Sequence, residues 1–398
     1  MEKKKGLLTK IALIACGYGI FSDSVIVPIF SKICAEYPDA GAGITGFVLT
    51  GGYIFSLIAS LITGYMLKKV SARKMLLAGT ILFTLGGVGG YYTTSMEFLG
   101  FCRILDGLSD GILAVAAISV ITALYEGQER VRLIGLYSAV SAGFGVLLSF
   151  FSGIIGETAP DWRYCFLLNL ISAVSIILVF ISVPKTIKDT SSQDGKNTIE
   201  EQRTILTGAF KFKGAWSIYM EFFVSSALYC ILFVFVDIYV QEKSLGSSVL
   251  SGTISSLGSI ITFVTGVVFT VVYAKVKGLA RFLCFFGLGM SFIGLRFAMQ
   301  GSWAVVFYSL ASIFYAFLYP YYQMEIGLAA PEEVREQSIG ILNGWYNIAC
   351  FISAYIPTGI MLLLKMDTVH QTFTPLGSVL LAIAFLILVF PESRKKNN

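Results

Sequence analysis

Residues 97–124 read EFLGFCRILDGLSDGILAVAAISVITAL. The run exceeds the ~20 mostly apolar residues a helix needs to cross a bilayer, yet Arg103, Asp106 and Asp110 lie inside it. They stand at i, i+3 and i+7, which puts all three on one helical face. Asp110 falls near the middle of the span, and at ~1.5 Å per residue Arg103 lies about 10 Å further out. An ionisable side chain at bilayer depth costs several kcal/mol unless it meets a cavity or a partner. The run therefore reads as a membrane helix with a purpose on one side.

The rest of the chain follows the same pattern. Its 398 residues are 56% hydrophobic and 13% charged, with a mean hydropathy of +0.78. A globular domain has roughly 45–50% apolar and about 25% charged residues. So few charges cannot cover a water-facing surface, which excludes a soluble enzyme and a disordered regulator. Twelve apolar runs are long enough to span: 8–30, 44–67, 75–94, 97–124, 133–156 and 164–183, then 215–240, 249–274, 282–300, 303–329, 338–364 and 376–391. The expected fold class is an all-α polytopic membrane protein.

Residues 184–213 carry DTSSQDGKN and EEQR and read as a cytoplasmic linker, with a surface helix near Ile199–Phe212. They divide the chain into a six-helix half at 1–183 and another at 214–398. The first run is too long for a cleavable signal peptide, and no A-x-A-like site follows it. Lysine and arginine crowd the loops of one side, while the other holds only Lys32, Arg163, Lys243 and Lys365. The positive-inside rule then makes both termini cytoplasmic and the chain a multi-pass protein of the cell membrane. Seven cysteines lie scattered in or beside apolar runs, as small core residues rather than a disulfide or metal framework. No nucleotide-binding loop, nucleophile triad or metal-ligand spacing is present. An ATP-driven pump, a membrane enzyme and a bound cofactor are not expected, and neither is a nucleic-acid partner.

The halves echo each other. Lys69-Val70 before Arg73 matches Lys275-Val276 before Arg281, and Arg130 with Gly135 matches Arg335 with Gly340. Offsets of 206 and 205 point to a duplicated six-helix unit in parallel orientation. Four motifs fit the same frame. Gly64–Lys74, GYMLKKVSARK, is similar to the G-x-x-x-D-R-x-G-x-R-K loop of the major facilitator superfamily. Arg103-x-x-x-Gly107-x-x-x-Gly111 resembles its fourth-helix signature, Trp162-Arg163-x-x-Phe166 the WRxxF of its drug:proton antiporters, and Glu332-x-x-Arg335-x-x-x-x-Gly340 its loop before helix 11. The resemblance covers the whole chain. It implies two parallel-related six-helix bundles, a gating loop at Gly64, Lys68, Arg73 and Lys74, and proton coupling on the fourth helix.

Two departures matter. Lys68 stands where the family has an acidic gating residue, and Ser71 replaces a glycine. The antiporter signature of the fifth helix is degraded: Gly143, Gly145 and Gly153 remain, but Ser149 stands about where its proline would fall. The first departure requires a differently stabilised gate, and the second weakens the antiporter assignment.

Asp23 in the first span lies at a depth comparable to Asp106, so Arg103 can pair with Asp106, with Asp23, or with each in turn. One consequence is a proton relay through Asp23, Arg103, Asp106 and Asp110; the plain alternative is a static pair joining two helices. Glu221 reads as a solvated helix end or as a residue with a role at the cytoplasmic mouth, Glu325 as a helix-end residue or a gate contact, Asp237 and Arg296 as interfacial, and His370 as a solvated loop residue. Pro28, Pro320 and Pro357 allow kinks within spans. Tyr229, Tyr319, Tyr322, Asn343 and Asn347 are candidate substrate contacts, since helices 7, 10 and 11 line the cavity of the resembled fold. Aromatic rings with polar handles suit flat amphipathic compounds.

The leading expectation is a secondary transporter working by alternating access, with protons exchanged for small amphipathic organic compounds in efflux. A proton-independent or symport carrier of an organic anion or metabolite is the alternative, and a non-transporting sensor or lipid-handling module a third. The expected partners are the small-molecule substrate, protons and the lipid bilayer, and the expected working form is a monomer.

Overall fold

A computed structural model describes residues 6–21, 23–67, 69–184, 208–212, 214–276 and 279–389. Lys68 and most of the 184–213 segment lie outside these residues; Gly208–Lys211 is helical. Ten helices are long and apolar enough to cross a membrane, and two bent helix pairs bring the spans to twelve if each pair is one span. The unbroken spans include the second (Ala42–Met66), fourth (Met96–Leu124), fifth (Gly127–Thr158), sixth (Trp162–Ser182), seventh (Ala215–Val234), ninth (Ala280–Phe297) and tenth (Gly301–Ala329).

The first and eleventh spans are the broken ones. Leu7–Tyr18 and Asp23–Glu36 meet at 50°, and Gln337–Ser353 and Ile356–Leu364 at 44°. In the first, 3-10 turns at Cys16–Phe21 and Val27–Ile29 replace regular helix. Glycines at 17 and 19 and Pro28 supply the cause, since neither residue type supports a helix interior. In the eleventh, Pro357 occupies the first turn of the second piece, where its missing N–H leaves no bond unmade. Pro320, by contrast, sits inside a continuous helix.

The chain divides into two compact units, Met1–Gly195 with Ser251–Ser256, and Lys196–Leu250 with Leu257–Asn398. In the first unit Leu13, Leu76, Leu113, Val120 and Val179, from spans 1, 3, 4 and 6, share one apolar core. Spans 2 and 4 approach much more closely. A Cβ added to Gly107 would lie 2.2 Å from the Gly52 carbonyl oxygen, and one on Gly111 2.2 Å from that of Ser56. Glycine is required at both positions because backbone meets backbone there. Ser95 Oγ accepts the Phe98 N–H at 3.2 Å and caps the start of span 4.

Trp162 and Arg163 tie loops together in the same unit. Trp162 Nε1 donates to Glu36, and Arg163 bonds Glu36, Asp161, the Tyr37 hydroxyl and the Thr93 carbonyl. The guanidinium also lies over the Trp162 ring, 4.5 Å from its centroid. This part of the WRxxF motif clamps the ends of spans 1, 3 and 6. Arg163→Ala should cost about 1–2 kcal/mol, the loss of several bonds partly offset by screening of the exposed Glu36 pair. A lowered melting temperature of the purified protein would register it; unchanged melting would make the clamp incidental.

Candidate functional site

The fourth span places its charges as the i, i+3, i+7 spacing requires, and the neighbouring spans supply their partners. Arg103 is 2% exposed and sits between two carboxylates. Its Nη1 donates to Asp106 Oδ2 at 2.8 Å, its Nη2 contacts Asp23 Oδ1 of the first span, and its Nε donates to the Val48 carbonyl at 3.2 Å. The sequence left open whether Arg103 takes Asp106, Asp23 or each in turn; it holds both at once. The fork geometry of a guanidinium permits this, where an ammonium would be a single point charge. Gly52 keeps the space beside it open, since a Cβ there would lie 3.3 Å from Nη2.

Asp110 stands apart from the arginine. Ser56 of the second span donates to its Oδ2 at 2.6 Å, a contact made possible by the Gly111 crossing one position along. No lysine or arginine among the described residues lies within ion-pair distance of Asp110. Asp106 Oδ1 is buried and accepts no hydrogen bond. The first unit thus gathers three carboxylates around one cation.

Of the gating residues, Arg73 is buried: it donates to the Phe180 carbonyl and lies 5.2 Å from the Phe180 ring centroid. Gly64 and Lys74 are exposed, and Gly64 has no neighbour within 4 Å of where a Cβ would stand. Local packing therefore does not require glycine there. Lys68 falls outside the described residues.

The substrate candidates of the second unit separate into three places. Tyr319 donates to Asn343 Oδ1 at 3.2 Å, and Asn347 Nδ2 to the Asn343 carbonyl at 3.1 Å, so these three form one polar group on spans 10 and 11. Tyr346 packs edge-on to Tyr319, with centroids 6.0 Å apart. Tyr229 instead stacks on Tyr315 at 4.0 Å and donates to Ser312. Tyr322 is fully buried, and its hydroxyl donates to Glu221 Oε2 at 2.8 Å. Its polar handle is bonded to Glu221 in this conformation.

Glu221, which the sequence left between a solvated helix end and a role, is the centre of a second network whose partners the sequence did not show. Arg281 Nη2 and Ser217 Oγ each donate to its Oε1 at 2.9 Å, beside the Tyr322 bond. An acid within an apolar run together with an arginine opening another was the available signal. Asp237, in the short helix Val236–Glu242 that follows the seventh span, is fully buried. One expectation is corrected. His370 is not a solvated loop residue: its Nδ1 lies 3.0 Å from Glu242, which also accepts the backbone N–H groups of Val369 and His370. The 3-10 turn Val369–Thr372 aims those groups at one carboxylate.

Comparison with known proteins agrees with this architecture. The family model described as Major Facilitator Superfamily matches residues 12–354. The arabinose-proton symporter of Escherichia coli strain K12 is 25% identical over 140 residues, 35% of this chain and 29% of that protein. The quinolone resistance protein NorB of Staphylococcus aureus strain JH9 is 26% identical over 187 residues, 46% of this chain and 39% of that protein. These alignments span well under half the length of either relative. Among solved structures, the xylose transporter XylE from E. coli, in an inward-open conformation, superposes with a TM-score of 0.73 at 15% identity, covering 98% of this chain and 97% of that one. At that identity the likeness is one of fold.

Proposed function

Because the chain belongs to the Major Facilitator Superfamily, we propose that it is a secondary transporter that exchanges protons for small amphipathic organic compounds in efflux. The observation that carries the reading is Arg103 held between Asp23 and Asp106, with Asp110 one turn further on against Ser56. Membrane helices bear such groups at a cost of several kcal/mol, and a purely structural bundle has little reason to do so. A carboxylate in low dielectric favours its protonated form, and a nearby guanidinium reverses that preference. Displacing Arg103 from one partner during alternating access therefore loads or releases a proton. Tyr319, Asn343 and Asn347, with Tyr229 beside Ser312, supply ring faces and amides for a flat substrate.

On this reading 1–183 and 214–398 are the two moving halves and 184–213 their cytoplasmic linker. Gly64, Lys68, Arg73 and Lys74 belong to the gate, both termini are cytoplasmic, and the monomer is the working unit. Similarity to the quinolone resistance protein supports efflux. Similarity to the arabinose-proton symporter supports a second reading, proton-coupled uptake of a metabolite, as does the missing fifth-helix proline.

The test uses purified protein in liposomes with an imposed pH gradient and a pooled panel of lipophilic cations, neutral drugs, sugars and organic acids, read by mass spectrometry. Gradient-driven accumulation of cationic or neutral amphipathic compounds, abolished in Asp110→Asn, is the expected result. Sugar movement down the proton gradient would select the symport reading. Anion movement indifferent to the gradient would replace both with an exchanger, and unchanged driven transport in Asp110→Asn would remove Asp110 from the relay.

A further inference from the structure

The charges of the first unit do not balance. When fully ionised, Asp23, Asp106 and Asp110 carry three negative charges, and Arg103 is the one cation within ion-pair distance of any of them among the described residues. The other titratable groups facing the cluster, Cys102 on the adjoining turn and Tyr137 of the fifth span with Cys16 beside it, are thiols and a phenol, which carry no positive charge in any protonation state. The second unit offers the contrast. Glu221 accepts from Arg281, Tyr322 and Ser217, so a guanidinium faces that carboxylate directly.

We infer that the first-unit cluster binds two exchangeable protons, one shared across the Asp23–Arg103–Asp106 triad and one on Asp110, and that transport moves two protons per cycle. The inference deepens the proton-coupled reading above and rests on it. Two carboxylates competing for one guanidinium cannot both be neutralised by it, and like charges held together favour protonation of one. The unbonded oxygen of Asp106 gives that proton a place. It is buried without a donor, beside Gly86, where a Cβ would stand 2.6 Å away and fill the space. Asp110 receives only the neutral serine hydroxyl, which leaves its charge uncompensated. Adding two protons takes the cluster from two excess negative charges to none. Releasing both restores two carboxylates, whose repulsion supplies a reason for the unit to change its contacts.

A proton shared by two residues has a distinctive signature. Asp106→Asn leaves Asp23 as the arginine's sole carboxylate, and Asp23→Asn leaves Asp106 in the same position. Either change abolishes the same proton, so the double variant loses nothing more. Infrared difference titration of purified protein in nanodiscs reads this directly. The carboxylic-acid C=O band is followed from a pH above the range in which exposed carboxyls titrate up to alkaline pH.

The expected loss is about half of the wild-type amplitude in Asp110→Asn, about half in Asp23→Asn or Asp106→Asn, and no further loss in the Asp23→Asn/Asp106→Asn pair. A band abolished by Asp110→Asn alone would mean one proton. Separate shares of about a third for each of the three aspartates would mean three. Either result, or a wild-type band that does not titrate, overturns the inference. Should Asp106→Asn fail to fold, the share lost in Asp23→Asn still distinguishes a half from a third. The count needs no transported compound. Two protons in the band with no gradient-driven movement would overturn the coupling reading and with it the two-proton cycle, leaving the two-proton site; driven movement with a one-proton band would overturn this inference alone.

Discussion

Arg103→Gln is expected to destabilise the folded protein by about 3–5 kcal/mol, the range found when one partner is removed from a buried ion pair, and to abolish proton-driven transport in whatever protein survives. The residue is nearly inaccessible and bonds Asp106 of its own span, Asp23 of the first and the Val48 carbonyl of the second. Glutamine keeps some donors but leaves the buried Asp106 and the partly buried Asp23 facing each other without a cation. Arg103→Lys should fall between the two, since an ammonium retains the charge but not the fork that reaches several acceptors. Adding Asp106→Asn to Arg103→Gln should return part of the lost stability, because the orphaned charge goes with it. Melting of the detergent-solubilised protein measures all three. An Arg103→Gln protein as stable as the wild type would show that the network holds nothing together.

The second large effect belongs to the crossing of spans 2 and 4. Gly107→Ala places a methyl within 2.2 Å of one backbone oxygen and 2.8 Å of a backbone Cα, and Gly111→Ala does the same against the Ser56 carbonyl and the Ser60 N–H. Backbone cannot rotate away as a side chain does, so the helices must separate. Overpacking of this kind costs about 1–3 kcal/mol, and the close approach on both sides puts it at the upper end. The two substitutions should be less than additive, because once the helices have parted the second methyl meets an open gap. Separation also stretches the Ser56–Asp110 bond, so surviving Gly111→Ala protein should transport with an altered pH profile while Asp110 itself is untouched. Thermal melting and gradient-driven uptake check the two halves of this expectation. Additive, small losses with an unchanged profile would mean that the crossing tolerates the spacing.

The spans were legible because a bilayer demands ~20 apolar residues and little else meets that demand. The pairing of Arg103 with Asp106 was legible for a similar reason: three residues apart on a helix is a local relationship. Ser56 against Asp110 was not, because a serine in an apolar span gives no sign of which neighbour it faces, and Ser60 one turn on offers the same hydroxyl. The same holds for Glu221, Arg281 and Tyr322, which come from spans 7, 9 and 10 and meet only through tertiary packing. Lone residues such as His370 carry still less information, because it was the turn at Val369–Thr372 that brought this one to Glu242.

The Asp23–Arg103 contact has a consequence for how the chain enters the membrane. Spans are delivered from the N-terminus, and a charged residue at a helix centre opposes insertion by about 2.5–3.5 kcal/mol. The fourth span carries three such residues, so its own apolar surface must work against a large opposing sum. By the time it arrives, however, the first span is already in place, with Asp23 available to the incoming guanidinium. The ion pair would then act during biogenesis as a receptor for a span that carries three charges of its own. A chain lacking that aspartate would meet its difficulty at the translocon, before folding or transport begins.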